Sequence, residues 1–138
     1  MCLQAGSLET VDLSHNRLVS FDPGVFSGLR RLRQLDLNHN NLASLHPQSL
    51  KGLEALEQVN LGSNNLLNLP DSLFRQVPNL LSVDLSGNML TALPDGLFRS
   101  SPKLSSLLLA HNRLEAVDVD SAFRANSNLK VTLLYVHP

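Results

Sequence analysis

The stretch from Leu8 to Asn16 reads LETVDLSHN, and the same pattern returns four more times along the chain. Its counterparts are LRQLDLNHN from Leu32, LEQVNLGSN from Leu56, LLSVDLSGN from Leu80 and LSSLLLAHN from Leu104. The pattern therefore starts at positions 8, 32, 56, 80 and 104, at a constant interval. A fixed period in this range is typical of repeat proteins, in which each unit packs only against its neighbours. The sequence therefore predicts a solenoid.

The first half of each repeat has the apolar spacing of a short strand. In the first repeat the apolar residues are Leu8, Val11 and Leu13, and alternate side chains of a strand face the same way. The period is too short for a full helix between successive strands. We therefore expect one parallel sheet with one strand per repeat, concave because the outer segments need more width than the strand spacing of about 4.8 Å.

The second half of each repeat is predicted to return the chain along the convex side. A proline in four repeats suits a loop and excludes a helix interior: Pro23, Pro47, Pro70 and Pro94. One bulky apolar residue follows in every repeat, and we expect these residues to form a buried column: Phe26, Leu50, Phe74, Phe98 and Phe123. A further apolar residue three positions later, such as Leu53, favours a short helical or 3₁₀ turn.

The pattern LxxLxLxxNxLxxLPxxxFxxLxx, as in LEQVNLGSNNLLNLPDSLFRQVPN from Leu56, resembles the leucine-rich repeat family, in the 24-residue class typical of animal extracellular proteins. Similar repeats occur in Toll-like receptors, small leucine-rich proteoglycans and the regulatory subunit of carboxypeptidase N. The resemblance covers Leu8 to about Leu134. It implies an α/β solenoid, a leucine-rich repeat horseshoe with a concave parallel sheet and short 3₁₀ or irregular convex segments, that binds proteins on its concave face.

Residues 1–7 are predicted to be a lead-in or cap remnant and not a structural element. Residues 8–138 are predicted to form the solenoid, with five full repeats and a partial sixth from Leu129. Because Leu129 comes one position later than the regular interval would place it, we expect Leu133 to lie beside Leu108 in the sheet. The cysteine-rich caps of the family are missing, which indicates an excised segment of a longer ectodomain.

The charge balance bears on the class of partner. Lys and Arg total 11 against 12 Asp and Glu, a net charge of -1, so no overall field attracts nucleic acid or anionic membrane. Exposed aromatic platforms for single-stranded bases are not expected either. We predict a protein ligand or receptor partner, no nucleic acid and no direct membrane insertion of this segment. The open end strands make edge-to-edge association plausible, while the oligomeric state is open.

The compartment has two interpretations. The one cysteine, Cys2, is either a free thiol of a cytosolic chain or the unpaired remnant of a disulfide-bonded cap. The resemblance favours an extracellular or cell-surface protein-binding module of a receptor or matrix protein. The alternatives are a structural spacer or assembly module, and an intracellular leucine-rich repeat adaptor.

No catalytic, cofactor or metal site is predicted, and the chain is not expected to be an enzyme. Asp12, Ser14 and His15 are neighbours in sequence, but three residues of one strand cannot converge as a catalytic triad requires. His15, His39 and His111 occupy equivalent places. Zinc needs three or four ligands around one point, so we expect solvated histidines at the sheet edge.

One asparagine per repeat follows each strand: Asn16, Asn40, Asn64, Asn88 and Asn112. An amide side chain can bond the backbone of its own turn and of the next coil, where an unpaired buried group would cost about 1–3 kcal/mol. We predict a structural asparagine ladder. Replacement of Asn64, which has neighbours on both sides, is expected to destabilise more than replacement of Asn112.

Outward-facing strand residues define the predicted binding face. Its central row is acidic and polar at the start and apolar at the end: Asp12, Asp36, Asn60, Asp84, Leu108 and then Leu133. Flanking positions add Gln34, Gln58, Asn38 and Tyr135. Neighbouring Asp12 and Asp36 repel by under about 1 kcal/mol, which fold stability does not explain, so we expect a basic patch on the partner. The basic run Arg30, Arg31 and Arg33 is expected to be a solvated face, and the alternative is contact with a sulfated glycan or an acidic partner.

Overall fold

A computed structural model describes residues 5–114, 123 and 130–132 of the chain, and Cys2, Leu133 and Tyr135 lie outside this part. Its strands each span three residues and form one parallel sheet in chain order. They are β1 (Thr10–Asp12), β2 (Gln34–Asp36), β3 (Gln58–Asn60), β4 (Ser82–Asp84), β5 (Ser106–Leu108) and β6 (Lys130–Thr132). The architecture is the predicted leucine-rich repeat horseshoe, with a concave parallel sheet and irregular convex segments.

The strands pair at a constant register that equals the repeat period. Asp12 lies opposite Asp36, and the same step relates every later neighbour up to Leu108. The expected one-residue displacement of the last strand is wrong, because Thr132, and not Leu133, lies opposite Leu108. The segment LKVTLLYVH contains apolar residues at several adjacent positions, so the apolar pattern alone could not decide between two registers one residue apart.

The prediction that residues 1–7 contain no structural element is also wrong in part. Ala5–Ser7 forms a short 3₁₀ helix ahead of β1. Three residues fit the short length in which 3₁₀ helices occur, too short for the periodicity by which longer helices are recognised.

The core repeats from coil to coil instead of converging on one centre. Strands β1 to β5 each place one apolar side chain inward between two outward ones, as Val59 (2% exposed) does between Gln58 and Asn60. The first coil is covered less than the others. Leu8 is 43% exposed, whereas the equivalent Leu32 is fully buried between two coils. Burial therefore depends on having a neighbouring coil on each side.

The convex side is built from successive tight turns. In the third repeat the N–H of Val77 donates to the carbonyl of Phe74 at 3.3 Å, and equivalent bonds occur in the first, second and fourth repeats. The buried column expected along this side is present: Phe74 and Phe98 stack at 5.1 Å between ring centroids, and Phe98 and Phe123 at 6.0 Å. This column fixes the outer spacing of the coils while the strands fix the inner spacing.

Candidate binding surfaces

The outward-facing strand residues line a shallow groove on the concave face. It encloses about 380 Å³, and we call it the sheet groove. Seven of the nine predicted partner-binding residues line it: Asp12, Gln34, Asp36, Gln58, Asn60, Asp84 and Leu108. Asn38 does not line the groove, and Tyr135 lies outside the described residues. The structure thus brings most of the predicted face together, while its use in binding stays a prediction.

The central row of the sheet groove also has a role in the fold that the sequence analysis missed. Oδ1 of Asp36 accepts the backbone N–H of Asn38 at 3.0 Å, and Oδ1 of Asn60 accepts that of Gly62 at 2.9 Å. Asp12 and Asp84 make the same contact two residues on. The expectation that fold stability does not explain these side chains is therefore wrong, since each closes the turn after its strand.

The turn contacts do not explain the negative charge of the central row. Asn60 closes its turn with an uncharged amide oxygen, so the turn does not require a carboxylate. Within the described part of the chain, the Oδ1 atoms of Asp12, Asp36 and Asp84 are used in this way and their second carboxylate oxygens accept no hydrogen bond. No Lys or Arg is among the described residues that line the groove. Three carboxylates therefore face the groove, and its described lining supplies no Lys or Arg to pair with them.

Asp12, Ser14 and His15 are held by separate local contacts. The Ser14 hydroxyl donates to Asp12 Oδ1 at 2.6 Å, and the two hydrogen bonds from Ser14 hold the pKa of Asp12 below its ordinary value of 3.8. Ser86 makes the same 2.6 Å bond to Asp84, in a repeat without histidine. The Asp–Ser contact is therefore a recurring turn feature and does not depend on a neighbouring base.

The residues just before each ladder asparagine share an unusual backbone conformation. Their φ angles are positive: His15 58°, His39 54°, Ser63 53°, Gly87 69° and His111 59°. Left-handed backbone is tolerated best by Gly, Asn, Asp and His. The rings of His15 and His39 stack at 4.3 Å. Among the described residues no three His, Cys, Asp or Glu side chains are grouped closely enough to hold a metal ion. Backbone conformation accounts for this column.

The asparagine column joins each coil to the one before it. Asn64 Nδ2 donates to Leu37 O of the preceding coil and to Leu61 O of its own turn, both at 3.0 Å, while its Oδ1 accepts the Leu42 N–H at 3.1 Å. The same set of contacts recurs at Asn40, Asn88 and Asn112. Asn16 is exposed, and among the described residues its side chain bonds only its own turn.

A second cleft lies at the edge of the sheet where the strands begin, and we call it the rim cleft. It encloses about 460 Å³. It is lined by Glu9, Arg30, Arg31, Arg33, Ala55, Glu57, Asn79, Leu81 and Lys103. The expectation that the arginine run is only a solvated face did not anticipate this cleft, because its walls come from successive coils. A comparison of equivalent positions in neighbouring repeats would have placed Arg33 beside Glu57 and Asn79 beside Lys103.

The helices of the described part of the chain include none with the length and apolar character needed to cross a membrane.

The repeat spacing, the ladder and the strand register agree with the family comparison. The family model described as "Leucine rich repeat" matches residues 6–66 and 56–114, which together exceed half of the chain. The chain belongs to the leucine-rich repeat family. The family model describes a repeat and names no reaction. No match is found among curated protein sequences.

This leucine-rich repeat chain is similar to several solved structures. A TLR13–ssRNA13 complex has a TM-score of 0.81 and 37% identity over 87% of this chain and 17% of that chain. A glycosylated Toll–Spatzle complex from Drosophila has a TM-score of 0.82 and 26% identity over 90% of this chain and 17% of that chain. The APL1 leucine-rich repeat domain has a TM-score of 0.81 and 25% identity over 88% of this chain and 31% of that chain. The repeats therefore span less than a third of each of these chains.

The comparison corrects the prediction that nucleic acid is excluded as a partner. A chain 37% identical to this one is solved in complex with single-stranded RNA, so the exclusion is wrong. Its physical weakness was the use of net charge. A value of -1 averages over the whole surface, whereas a ligand meets one face, and four of the 11 cationic residues line the rim cleft.

Proposed function

We propose that this leucine-rich repeat segment is a protein-binding module whose sheet groove holds a basic patch of its protein partner. The observation that supports this most is the alignment of Asp12, Asp36 and Asp84 along one row of the concave sheet. Their turns need only an acceptor oxygen, as Asn60 shows. The charge is therefore available for a partner.

Electrostatics favours a cationic group at this place. Asp12 and Asp36 are direct neighbours across β1 and β2, so their negative charges repel one another. A Lys or Arg of a partner placed between them would remove that repulsion and gain two charge-assisted contacts. Such contacts lose strength as salt screens them, with a Debye length of about 10 Å at 0.1 M.

The size of the groove limits the strength of binding. Strands of three residues spaced by about 4.8 Å give a face smaller than the roughly 800 Å² per partner of a standard interface. The rims of the sheet, including Asn38 at the strand ends, would have to add contact area. We expect this segment to bind weakly by itself and to contribute one part of a larger interface.

The test removes the negative charges of two groove residues and keeps the hydrogen bonds that close their turns. Asp12→Asn combined with Asp36→Asn keeps both acceptor oxygens, and Asp22→Asn combined with Asp71→Asn removes the same charge at exposed positions outside the groove. The probe is a labelled eight-residue peptide of alternating Lys and Ser, measured by fluorescence anisotropy at 50 and 300 mM NaCl. We expect the groove pair to weaken binding about tenfold at low salt and the control pair less than about twofold. Equal losses in both pairs would refute the proposal.

The same variants distinguish a spacer role from a binding role. A module that only holds neighbouring domains apart would tolerate loss of charge in the sheet groove without any change in binding.

Single-stranded RNA is a second candidate ligand, supported by the similarity to the TLR13–ssRNA13 complex. An eight-nucleotide oligouridylate in the same assay tests it. Binding of the RNA that survives loss of the groove carboxylates would assign it to another surface.

The proposed location is outside the cell or at its surface, supported by the similarity to the Toll–Spatzle complex. Protease treatment of intact cells that make the protein tests this. Digestion of the repeats in unbroken cells agrees with the proposal. Protection that ends when the plasma membrane alone is permeabilised, with organelle membranes intact, would place the repeats in the cytoplasm, as in the alternative of an intracellular adaptor.

A further inference from the structure

Contacts between successive coils join the residues that line the rim cleft. Arg33 Nη2 donates to Glu57 Oε1 at 3.0 Å, and Lys103 Nζ donates to Asn79 Oδ1 at 2.9 Å. The Glu57 carboxylate raises the pKa of the Arg33 guanidinium above its ordinary value, as expected for a paired cation. Asn79 in turn donates to the Glu54 carbonyl of the preceding coil at 3.0 Å. The walls of the cleft are therefore built by the repeat itself.

Two cations of the rim cleft remain unpaired. Arg30 and Arg31 are exposed, and within the described residues neither makes an ion pair or a side-chain hydrogen bond. Lys103 bonds only a neutral amide. Four cationic side chains thus share the cleft with two carboxylates, Glu9 and Glu57, and Glu57 already serves Arg33. The cleft carries a local excess of positive charge with two guanidinium forks free to bind.

The cleft also has an apolar part. Ala55 and Leu81 are partly exposed within its lining. Leu81 occupies the place that Glu9, Arg33 and Glu57 take in the earlier repeats. A leucine at this solvent-facing place adds nothing to the core, where Leu80 and Val83 are already fully buried. It does give a ligand an apolar contact beside the cations.

We propose that the rim cleft binds an acidic segment of a protein, with carboxylates on Arg30 and Arg31 and one apolar side chain against Ala55 and Leu81. Guanidinium groups bind carboxylates through two parallel hydrogen bonds, which suits a pair of free arginines. The mixture of cations with an apolar contact matches a peptide carrying Glu or Asp beside Leu or Val.

A nucleic acid strand fits this cleft less well. Glu9 and Glu57 would lie beside the phosphates of a continuous backbone and repel them. Phosphate binding gains its strength from many neutralised charges, and here only Arg30 and Arg31 are unengaged cations of the lining. The described lining contains no aromatic side chain on which a base could stack.

This site has the opposite charge from the sheet groove, so the two proposals can fail independently. The experiment uses a labelled acidic peptide, EELEELEE, and its neutral counterpart QQLQQLQQ, with binding followed by fluorescence anisotropy at 50 mM NaCl. Arg30→Gln combined with Arg31→Gln removes the two free cations. Arg17→Gln combined with Arg75→Gln removes the same charge from exposed positions outside the cleft. Neither pair contributes a side chain to the core.

We expect the acidic peptide to bind, the neutral peptide to bind at least about tenfold more weakly, and the cleft pair to weaken acidic peptide binding about five- to tenfold. The control pair should change binding less than about twofold. Arg30→Lys combined with Arg31→Lys should give an intermediate loss, because charge is kept and the fork is lost.

Three results would overturn the proposal. The first is no measurable binding of the acidic peptide, and the second is an equal loss in the cleft and control pairs. The third is tighter binding of an eight-nucleotide oligouridylate that the cleft pair abolishes, which would assign the rim cleft to RNA. None of these results depends on the Asp12 and Asp36 variants, so they leave the proposal for the sheet groove standing.

Discussion

Ser14 donates two hydrogen bonds to the carboxylate of Asp12, from its backbone N–H at 2.9 Å and from its hydroxyl at 2.6 Å. Both stabilise the ionised carboxylate, and the hydroxyl contact is the larger cause of the lowered pKa of Asp12. We predict that Ser14→Ala raises the pKa of Asp12 toward its ordinary value. An NMR titration of the Asp12 carboxyl carbon measures this. Ser20→Ala, at an exposed position elsewhere, should leave the titration unchanged.

The same shift has a consequence for stability. Because the folded-state pKa lies below the ordinary 3.8, the stabilising contribution of ionised Asp12 is present above 3.8 and is lost as pH falls through the folded-state value. Asp12→Asn keeps an acceptor and cannot titrate. Its free energy of unfolding should therefore depend less on pH below 3.8 than that of the unaltered chain. An unchanged Asp12 titration in Ser14→Ala would contradict the assignment of the cause.

Ser63 occupies a left-handed backbone position with φ of 53°. Such a conformation costs a side-chain-bearing residue about 1–2 kcal/mol, partly offset on substitution by the greater freedom of glycine in the unfolded chain. We predict that Ser63→Gly raises the free energy of unfolding by about 0.5 kcal/mol, as Gly87 at the equivalent place suggests. Ser44→Gly, where φ is not positive, should lower it. Urea denaturation compares the two, and destabilisation by Ser63→Gly would show that strain is absent.

At the scale of the structural elements, one convex turn requires glycine, whereas the equivalent turn of the preceding repeat has glycine without requiring it. Gly52 has φ of 89°, and a Cβ there would lie 2.5 Å from the Ser27 carbonyl oxygen of the preceding coil. Gly28 occupies the same place one repeat earlier and has open space around it. We predict that Gly52→Ala destabilises by about 2–4 kcal/mol and Gly28→Ala by under about 0.5 kcal/mol, measured by urea denaturation. Similar values for both would mean that the coils can shift apart at this turn.

The repeat elements were predictable because the same pattern occurs five times in the chain, so equivalent positions can be compared within one sequence. Alternation within one strand was enough to place Gln34 and Asp36 on the groove side and Leu35 in the core. The positive φ angles could not be predicted from such a comparison, because His39 and Ser63 have no common side-chain property that indicates one. The last strand was misplaced because its neighbouring apolar residues fit two registers, and only pairing with β5 decides between them.

The binding surfaces were predictable to different extents. The sheet groove follows from strand alternation, which is local. The rim cleft depends on contacts such as Arg33 with Glu57, which appear only when equivalent positions of successive repeats are treated as neighbours. The turn-closing role of Asp36 was missed for another reason. Its contact with the Asn38 N–H reflects the path of the backbone after the strand, which residue type alone does not fix.

At the scale of the whole molecule, the asparagine ladder gives the solenoid a direction. From the second repeat on, the ladder asparagines Asn40, Asn64, Asn88 and Asn112 bond the coil that precedes them, so their environment depends on the earlier neighbour. Asn64 and Asn112 make equivalent contacts with that neighbour. The expected difference between these two residues therefore has no structural basis, because it assumed bonds from the asparagine to the next coil. The contrast should instead be sought at Asn16.

We predict that Asn64→Ala and Asn112→Ala destabilise by a similar amount, about 2–3 kcal/mol each, because each leaves buried backbone groups of two coils without partners. Asn16→Ala should cost under about 1 kcal/mol, since Asn16 is exposed and its contacts stay within one turn. Urea denaturation followed by circular dichroism gives all three values. A smaller loss of stability at Asn112 than at Asn64 would indicate that the coils after Asn64 also contribute to its effect. A large loss of stability at Asn16 would mean that the ladder stabilises each turn and not the contact between coils.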